Sequence, residues 1–307
     1  MSMSMTAFDL SVVVSTYNRA ADLRRMLDAL ARNHTEAGLR WEVLVADNAS
    51  SDDTAAVLQD FAATAPMAVV TLYEPRRGKA YGLNQALGLA RGELLAFIDD
   101  DILVADDWVA TVVAHFRTHP ASHCIGGRVE LHDPLDAPVT IKRSLQASRT
   151  GLTGFSPDNI PIIGCNMAFR ADWLRSLGRF DTNIGPGSAI GVAEDLDMLY
   201  RVVRAGGLIE YVPGLLVQHN HGRRSAEQLR GLYAGYYAGR GAFYAKYILR
   251  RDALVMRWAY WEARKLLRPH TEPMRQGLYR RSRLHSLLQL GRGALRYLRL
   301  AQNKSQA

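Results

Sequence analysis

Apolar strands alternate with helices through the first hundred residues of the chain. Four runs rich in β-branched and other apolar residues are separated by segments whose apolar side chains recur at helical spacing, as at Leu23, Met26 and Leu30. The four runs are residues 10–15, 41–46, 68–73 and 93–98. Strands that alternate with helices in this way predict an α/β fold, with a mostly parallel sheet and helices on both of its faces.

Polar clusters follow three of these predicted strands, at residues 16–18, 47–52 and 99–101. The carboxyl ends of parallel strands lie along one rim of such a sheet, where ligands usually bind. The third cluster consists of Asp99, Asp100 and Asp101, and burying three adjacent carboxylates without a partner is costly. A divalent cation, which prefers oxygen ligands, would gather them. A solvated acidic turn at the start of a helix explains the triplet alone equally well.

Composition excludes several classes of protein. The chain has 307 residues, of which 48% are hydrophobic and 22% charged, so it has room for one large domain or two smaller ones. Its two cysteines, Cys124 and Cys165, are far apart and indicate neither a disulfide framework nor a structural zinc site. The first nine residues lack the pattern of a signal peptide, and no apolar run approaches the roughly 20 residues of a membrane span. We therefore expect a cytoplasmic protein.

Charge divides the chain into two parts. Residues 222–307 contain 19 Lys and Arg against 4 Asp and Glu, a net charge of +15, which leaves −7 on residues 1–221 because the total is +8. This tail is predicted to be helical, and aromatic side chains are interleaved with its charges. A basic tail indicates an anionic partner: a membrane surface, a nucleic acid or an acidic ligand.

The middle of the chain adds further candidates. Residues 132–161 are irregular and rich in Pro, Gly and Ser, and a segment of this length suits a lid or a substrate loop. Gly164 interrupts a strand-like run, which often marks a close approach of the backbone to a ligand. Glu194 and Asp195 begin a helix, where the helix dipole favours acids. His219 and His221 follow a later predicted strand.

In this order, the segments resemble the family 2 glycosyltransferases of the GT-A fold, over residues 10–221. The landmarks are VSTYNR at 14–19, VADNASSD at 45–52, RGK at 77–79, FIDDD at 97–101, GCN at 164–166, ED at 194–195, and His219. The resemblance implies a Rossmann-like sheet flanked by helices, with a basic helical C-terminal extension. Residues 1–221 would form the catalytic domain, with a nucleotide-binding half at 8–131 and an acceptor and catalytic-base half at 132–221.

The activity implied by the resemblance is inverting transfer of a sugar from a nucleoside-diphosphate sugar, with UDP favoured, to an acceptor hydroxyl. Mn²⁺ or Mg²⁺ would hold the leaving diphosphate. Asp99 and Asp101 resemble the two acids of the DxD motif, of which Asp101 binds the metal and Asp99 the ribose or the metal. Asp100 is able to share either role. His219 resembles a histidine that completes the metal shell in some relatives, with His221 as its competitor.

The resemblance also assigns residues to the donor and to the acceptor. Asp195 resembles the catalytic base, and Glu194 would orient it or bind the acceptor, although two acids that only cap a helix fit the same positions. Asp47 would bind the nucleotide base, and the alternative is a turn-capping role. The remaining donor-binding candidates are Thr16, Tyr17 and Asn18 in the first loop, Arg77 and Lys79 near the phosphates, and Gly164 and Asn166 in the sugar pocket.

Partners and rival functions follow from the same features. A glycan or lipid-linked acceptor in polysaccharide or glycolipid synthesis is expected, with residues 222–307 resting on an anionic membrane and no nucleic acid bound. A sugar-nucleotide nucleotidyltransferase would usually have a Gly-rich first loop, but residues 16–19 contain no glycine. A non-catalytic nucleotide- or nucleic-acid-binding protein would leave the series of acids unexplained.

Overall fold

The computed structural model describes residues 8–268, 275–276, 279–280 and 282–305. The remaining residues, which include parts of the predicted catalytic domain and of the predicted basic tail, lie outside the described residues. The strands are β1 Phe8–Thr16, β2 Trp41–Asp47, β3 Ala68–Tyr73, β4 Gly92–Ile98, β5 Ile102–Val104, β6 Cys124–Leu131, β7 Ser148–Thr150, β8 Asn166–Arg170, β9 Ile209–His219, β10 Arg275–Gln276 and β11 Tyr279–Arg280. The helices are α1 Ala20–Ala31, α2 Thr54–Thr64, α3 Lys79–Leu89, α4 Trp108–Thr118, α5 Ala171–Leu177, α6 Glu194–Arg204, α7 Ala226–Leu249, α8 Ala253–Leu267 and α9 Arg283–Ser305.

One large sheet organises the described part of the chain, with the order β3-β2-β1-β4-β8-β6-β9-β5 and with β7 paired to β9. The first four strands are parallel, as the alternation of strands and helices predicts. Beyond β4 the sheet is mixed, since β8 is antiparallel to both β4 and β6, and β5 and β7 are antiparallel to β9. The expectation of a mostly parallel sheet therefore holds only for its N-terminal half.

Both faces of the sheet are covered by helices, which explains why the central strands β1, β2 and β4 are mostly apolar and buried. Side chains alternate between the faces along each strand, so Leu95 and Phe97 of β4 lie in one buried cluster and Ala96 lies in the other. Helices α1, α2 and α4 pack on the Ala96 side. Helices α3, α5, α6 and α7 pack on the Phe97 side.

The short strand β5 joins two parts of the chain that the sequence separates widely. It pairs with the end of β9 so that Ile102 lies opposite His219. The backbone N–H of Asn220 also donates a hydrogen bond to the carbonyl of Asp101, at 2.8 Å. This register brings the end of the acid triplet next to the histidine at the end of β9.

The C-terminal helices belong to the same core as the sheet. Phe243 and Tyr247 of α7 lie in the buried cluster on one face of the sheet. Lys246 is buried between Asp181 and Asp197, with Nζ–O distances of 3.0 and 2.7 Å. The predicted basic tail is therefore helical over most of its described residues, apart from the short strands β10 and β11, and it packs against the catalytic body. No helix among the described residues is both long and apolar enough to cross a bilayer.

Helices α7 and α9 approach each other at two glycines. A Cβ on Gly241 would lie 1.9 Å from the carbonyl oxygen of Leu290, and one on Gly293 would lie 1.8 Å from that of Ala238. Real Cβ atoms do not approach backbone oxygens so closely. The two helices can pack this tightly only because these positions lack a side chain.

We predict that Gly241→Ala lowers the free energy of unfolding by roughly 1–3 kcal/mol, because the new methyl group forces α7 and α9 apart. Gly231→Ala is a matched control in the same helix, since a Cβ there meets nothing within 4 Å. The control should be neutral or gain up to about 1 kcal/mol from the better helix propensity of alanine. Urea unfolding of both variants measures the difference, and equal stabilities would contradict the close packing.

Candidate active site

A cleft of about 320 Å³ lies at the rim where β1 and β4 end. It is lined by most of the candidates that the sequence predicts. These are Thr16, Tyr17, Arg77, Lys79, Asp99, Asp100, Asp101, Gly164, Glu194, Asp195 and His219. The fold therefore brings residues from both halves of the predicted catalytic domain into one site.

Arg19 neutralises two members of the acid triplet. Its Nη1 lies 3.0 Å from Oδ1 of Asp100 and 2.6 Å from Oδ2 of Asp101, and Thr16 donates a hydrogen bond to Asp100 at 2.8 Å. Burial raises the pKa of Asp100 to about 6 in spite of this cation. Burial acts in the same direction on Asp101, but His219 and Arg19 outweigh it, so the pKa of Asp101 falls well below its usual range. Asp101 therefore stays ionised more readily than Asp100.

Lys79 compensates the negative charge of other acids in the cleft. Its Nζ lies 2.5 Å from Asp99 and 3.4 Å from Glu194. Burial alone would lower the pKa of Lys79, but the charges of these two carboxylates raise it instead. Glu194 is almost fully buried, and burial raises its pKa to about 7. The first residue of α3 thus compensates acids from β4 and from α6.

Asp195 is held in place by backbone groups. Its Oδ1 accepts a hydrogen bond from the N–H of Leu196 at 2.7 Å. Gly164 lies directly against it, since a Cβ on that glycine would be 2.6 Å from Cβ and 2.8 Å from Oδ2 of Asp195. Burial raises the pKa of Asp195 above its usual value. A fixed carboxylate with a raised pKa is suited to accept a proton.

Asp101 and His219 fit a divalent metal ion. The Nε2 of His219 lies 3.4 Å from Oδ1 of Asp101, and that oxygen is buried without a hydrogen-bond partner among the described residues. Nδ1 of His219 lies 3.1 Å from the hydroxyl and 3.3 Å from the carbonyl of Thr140, an arrangement that orients Nε2 of a metal-binding imidazole. Oxygen and imidazole nitrogen are both ligands for Mn²⁺ and similar ions.

The predicted third ligand is not part of this pair. Asp99 is held by Lys79, and no three His, Cys, Asp or Glu side chains in the described ranges are grouped closely enough to hold an ion by themselves. His221, the competitor of His219, does not line the cleft. Its Nδ1 accepts the N–H of Arg223 at 2.9 Å and lies 3.6 Å from Asp136. The geometry therefore favours His219 over His221.

Three other candidates lie outside the cleft. Asn166, predicted to line the sugar pocket, is fully buried: its Oδ1 accepts a hydrogen bond from Nε1 of Trp108, and its Nδ2 donates to the carbonyls of Arg128 and Leu215. A contact of Asn166 with the donor sugar stays a prediction. Asp47 accepts a hydrogen bond from the N–H of Ser50, and Asn18 accepts one from that of Ser51. The side chains of Asp47 and Asn18 thus stabilise the two loops beside the cleft, and a direct contact of either with the nucleotide stays a prediction.

Several residues of the cleft carry no role in the sequence analysis, and those with the most chemistry to offer are Arg19, Arg223 and Tyr236. Arg19 falls within a recognised landmark but carries no predicted role. Arg223 and Tyr236 lie in the tail, where the only signal was a general excess of basic and aromatic residues. One guanidinium nitrogen of Arg223, Nη1, is buried and has no hydrogen-bond partner in the described part of the chain. Helix α7 and the residues before it therefore form one wall of the site.

The sequence model of Glycosyl transferase family 2 matches residues 11–178, more than half of the chain. The chain belongs to this family. An uncharacterized glycosyltransferase, YfnE of Bacillus subtilis, is 42% identical over 109 residues, which are 36% of this chain and 26% of YfnE. The succinoglycan biosynthesis protein ExoM of Rhizobium meliloti is 26% identical over 214 residues, which are 66% of this chain and 64% of ExoM. The chain thus spans less than two thirds of the length of either relative.

The fold also matches a solved glycosyltransferase. The mannosyltransferase PcManGT from Pyrobaculum calidifontis, determined in complex with GDP-Man and Mn²⁺, superposes with a TM-score of 0.62 and 22% identity. The match covers 97% of this chain and 80% of PcManGT. It therefore includes the C-terminal helices as well as the large sheet, and this family 2 chain has the GT-A fold.

Proposed function

We propose that the protein transfers a sugar from a nucleoside-diphosphate sugar to an acceptor hydroxyl, with inversion at the anomeric carbon and with Mn²⁺ or Mg²⁺. The observation that carries the proposal is the presence, in one cleft, of a candidate metal pair, Asp101 and His219, together with a fixed carboxylate, Asp195. Inverting transfer needs one base near the acceptor and compensation for the charge of the leaving diphosphate.

Asp101 and His219 would hold the metal, with Asp99 available if Lys79 releases it. When bound, the ion supplies electrostatic stabilisation of the negative charge that develops on the leaving diphosphate. The complex of PcManGT with GDP-Man and Mn²⁺ supports this assignment, because the two proteins share a fold. Lys79 begins α3, where a helix N-terminus favours phosphate. Arg77 stacks on Tyr17, with Cζ 3.5 Å from the ring centroid, and would face the donor beside Thr16.

Asp195 would act as the base. It accepts the proton of the acceptor hydroxyl while that oxygen forms a bond to the anomeric carbon. The bond from this carbon to the diphosphate oxygen breaks on the opposite face, and its electron pair leaves with the diphosphate. The raised pKa of Asp195 supports this role, because a base works best when its pKa approaches the operating pH. Glu194, held by Lys79, would orient the acceptor.

The acceptor would be a glycan or a lipid-linked sugar in polysaccharide or glycolipid synthesis. The similarity to ExoM, which is named for succinoglycan biosynthesis, supports a polysaccharide pathway. We keep a uridine nucleotide as the favoured donor, and guanosine is the alternative because PcManGT holds GDP-Man.

Thermal unfolding with a panel of UDP-sugars and GDP-sugars tests this function. At least one nucleotide sugar should raise the melting temperature when Mn²⁺ or Mg²⁺ is present, and the protein should slowly hydrolyse that sugar. Asp101→Asn should reduce metal-dependent hydrolysis by at least about 10²-fold, because charge stabilisation of the leaving group is lost. Asp106→Asn is the control, since that carboxylate is exposed and outside the cleft.

Two results would contradict the proposal. One is the absence of any shift with either metal across the panel. The other is formation of a nucleotide sugar from a nucleoside triphosphate and a sugar phosphate, which would identify a nucleotidyltransferase instead.

We further predict that Gly164→Ala lowers the rate of hydrolysis by roughly 10²-fold, because the new methyl group would displace Asp195 from its position. Because Gly164 is a candidate for the donor-sugar pocket, the thermal shift is measured with the nucleoside diphosphate alone, whose binding should change little. Gly154→Ala is the control, since a Cβ there makes only an ordinary contact, 3.6 Å from Thr150. Unchanged turnover in Gly164→Ala would contradict the claim that the position of Asp195 against Gly164 matters for catalysis.

We propose in addition that helix α8 rests on an anionic membrane. Tyr260 and Trp261 are 56% and 53% exposed. Arg264 contacts both: its Nη1 donates a hydrogen bond of 3.0 Å to the hydroxyl of Tyr260, and its Cζ lies 5.4 Å from the ring centroid of Trp261. Leu267 is 68% exposed beside Arg268. Exposed Trp, Tyr and Leu interleaved with Arg suit the interface of a bilayer with anionic lipids.

Flotation with vesicles tests the membrane proposal. The protein should float with vesicles that contain phosphatidylglycerol at low salt and not with pure phosphatidylcholine. Trp261→Ala should weaken the binding several-fold, whereas Tyr73→Ala, which removes an exposed aromatic residue on β3, should not. Equal flotation of both variants, or none of the wild type, would count against α8 as the contact.

A further inference from the structure

A second cavity, of about 150 Å³, lies between α7, α8 and the segment of residues 132–161. Three tyrosines of α7 line it: Tyr233, Tyr236 and Tyr237. Tyr236 also lines the catalytic cleft, so the two cavities share this residue. This cavity has no role in the function proposed above.

The polar groups of the second cavity are fixed by one another. Arg240 lies 2.7 Å from both Glu262 and Asp158 and donates to the carbonyl of Pro157 at 2.8 Å. Glu262 is buried and also accepts a hydrogen bond from Tyr244. Lys265 lies 3.2 Å from Asp158. Such polar groups are positioned before any ligand arrives, which is typical of a binding site.

The balance of charges indicates a neutral ligand. Arg240 and Lys265 already face the carboxylates of Asp158 and Glu262. The third cation of the lining, Arg283, donates a hydrogen bond to the carbonyl of Arg268 at 2.9 Å. A phosphate would have to compete with these acids, whereas hydroxyl groups can both donate to carboxylates and accept from guanidinium groups. Aromatic rings add flat apolar surface with a polar hydroxyl at one end. A sugar ring combines an apolar C–H face with a rim of hydroxyls, and it matches both features.

We propose that this second cavity binds a sugar residue of the acceptor. The proposal rests on the function proposed above: the acceptor is a chain of sugars whose terminal hydroxyl reaches Asp195, and the second cavity binds the sugar before the terminal one. The acceptor chain passes over Tyr236, the residue that lines both cavities. A cavity of this volume holds roughly five water molecules at about 30 Å³ each, which limits the ligand to a single sugar ring. The segment of residues 132–161 thus takes part in acceptor binding through Asp158.

Saturation-transfer NMR with methyl glycosides of glucose, galactose and mannose, in both anomeric forms, tests the inference on the full chain. At least one glycoside should receive saturation from the wild-type protein. The signal should be lost in Tyr233→Ala and kept in Tyr233→Phe, which retains the ring. Tyr260→Ala is the matched control, because that tyrosine is exposed on α8 and does not line the cavity. Lys265→Ala, at an exposed position, should weaken binding about tenfold without a risk to folding.

The outcomes separate this inference from the proposed function. Each variant should keep the metal-dependent thermal shift with the nucleotide sugar, since none of these residues belongs to the donor side of the cleft. If no glycoside binds to the wild type, or if binding survives in both Tyr233→Ala and Lys265→Ala, the second cavity is not a sugar site. If glycosides bind as expected but no nucleotide sugar does, the sugar site stands and the proposed transferase function fails.

Discussion

Five carboxylates meet in one cleft, and their mutual repulsion is the constraint on which the arrangement of the site depends. Asp99, Asp100 and Asp101 come from the end of β4, and Glu194 and Asp195 come from the start of α6. Two protein cations compensate them, Arg19 just before α1 and Lys79 at the start of α3. Removing one partner of a buried ion pair costs about 3–5 kcal/mol, because the other charge is left unpaired. The helices that follow β1 and β3 are thus tied electrostatically to the end of β4.

The second half of the site depends on a register in the sheet. Strand β5 has only three residues, yet its pairing with β9 brings Asp101 close to His219 across more than a hundred residues of sequence. Helix α7 then closes the cleft from the other side with Tyr236, and its glycines allow it to pack close to α9. A catalytic domain that ended at residue 221 would lack this wall. The sequence sets the basic tail apart from the catalytic domain, but in the structure residues of this tail form one side of the cleft.

The sequence predicts the first four strands well, because each is a continuous apolar run followed by a polar loop, and the parallel rim follows from their alternation with helices. Many site residues are predicted by the same rule, namely that polar residues directly after a strand lie at the rim of the sheet. This rule finds residues of the cleft such as Asp99 and Asp101. The rule cannot detect pairs between distant residues, such as Arg19 with Asp101. Nor can it detect that β8 runs antiparallel to β4, because a short buried strand has the same pattern in either direction. For the same reason the expectation of a mostly parallel sheet was only half right.

Buried polar residues in and beside the cleft differ in how much of their hydrogen-bonding capacity the protein itself uses. Asn166 begins β8 and pairs with Ile98 at the end of β4, but its amide is fully engaged by three partners. Asp101, Glu194 and Arg223 each retain a buried polar atom without a hydrogen-bond partner in the ranges that the structure describes. Leaving such an atom unpaired costs about 1–3 kcal/mol, and a ligand that pairs with it recovers that energy. Asp101 follows β4, Glu194 begins α6 and Arg223 precedes α7. A ligand that pairs with all three must therefore span the cleft, so this energy favours donor and acceptor bound at the same time.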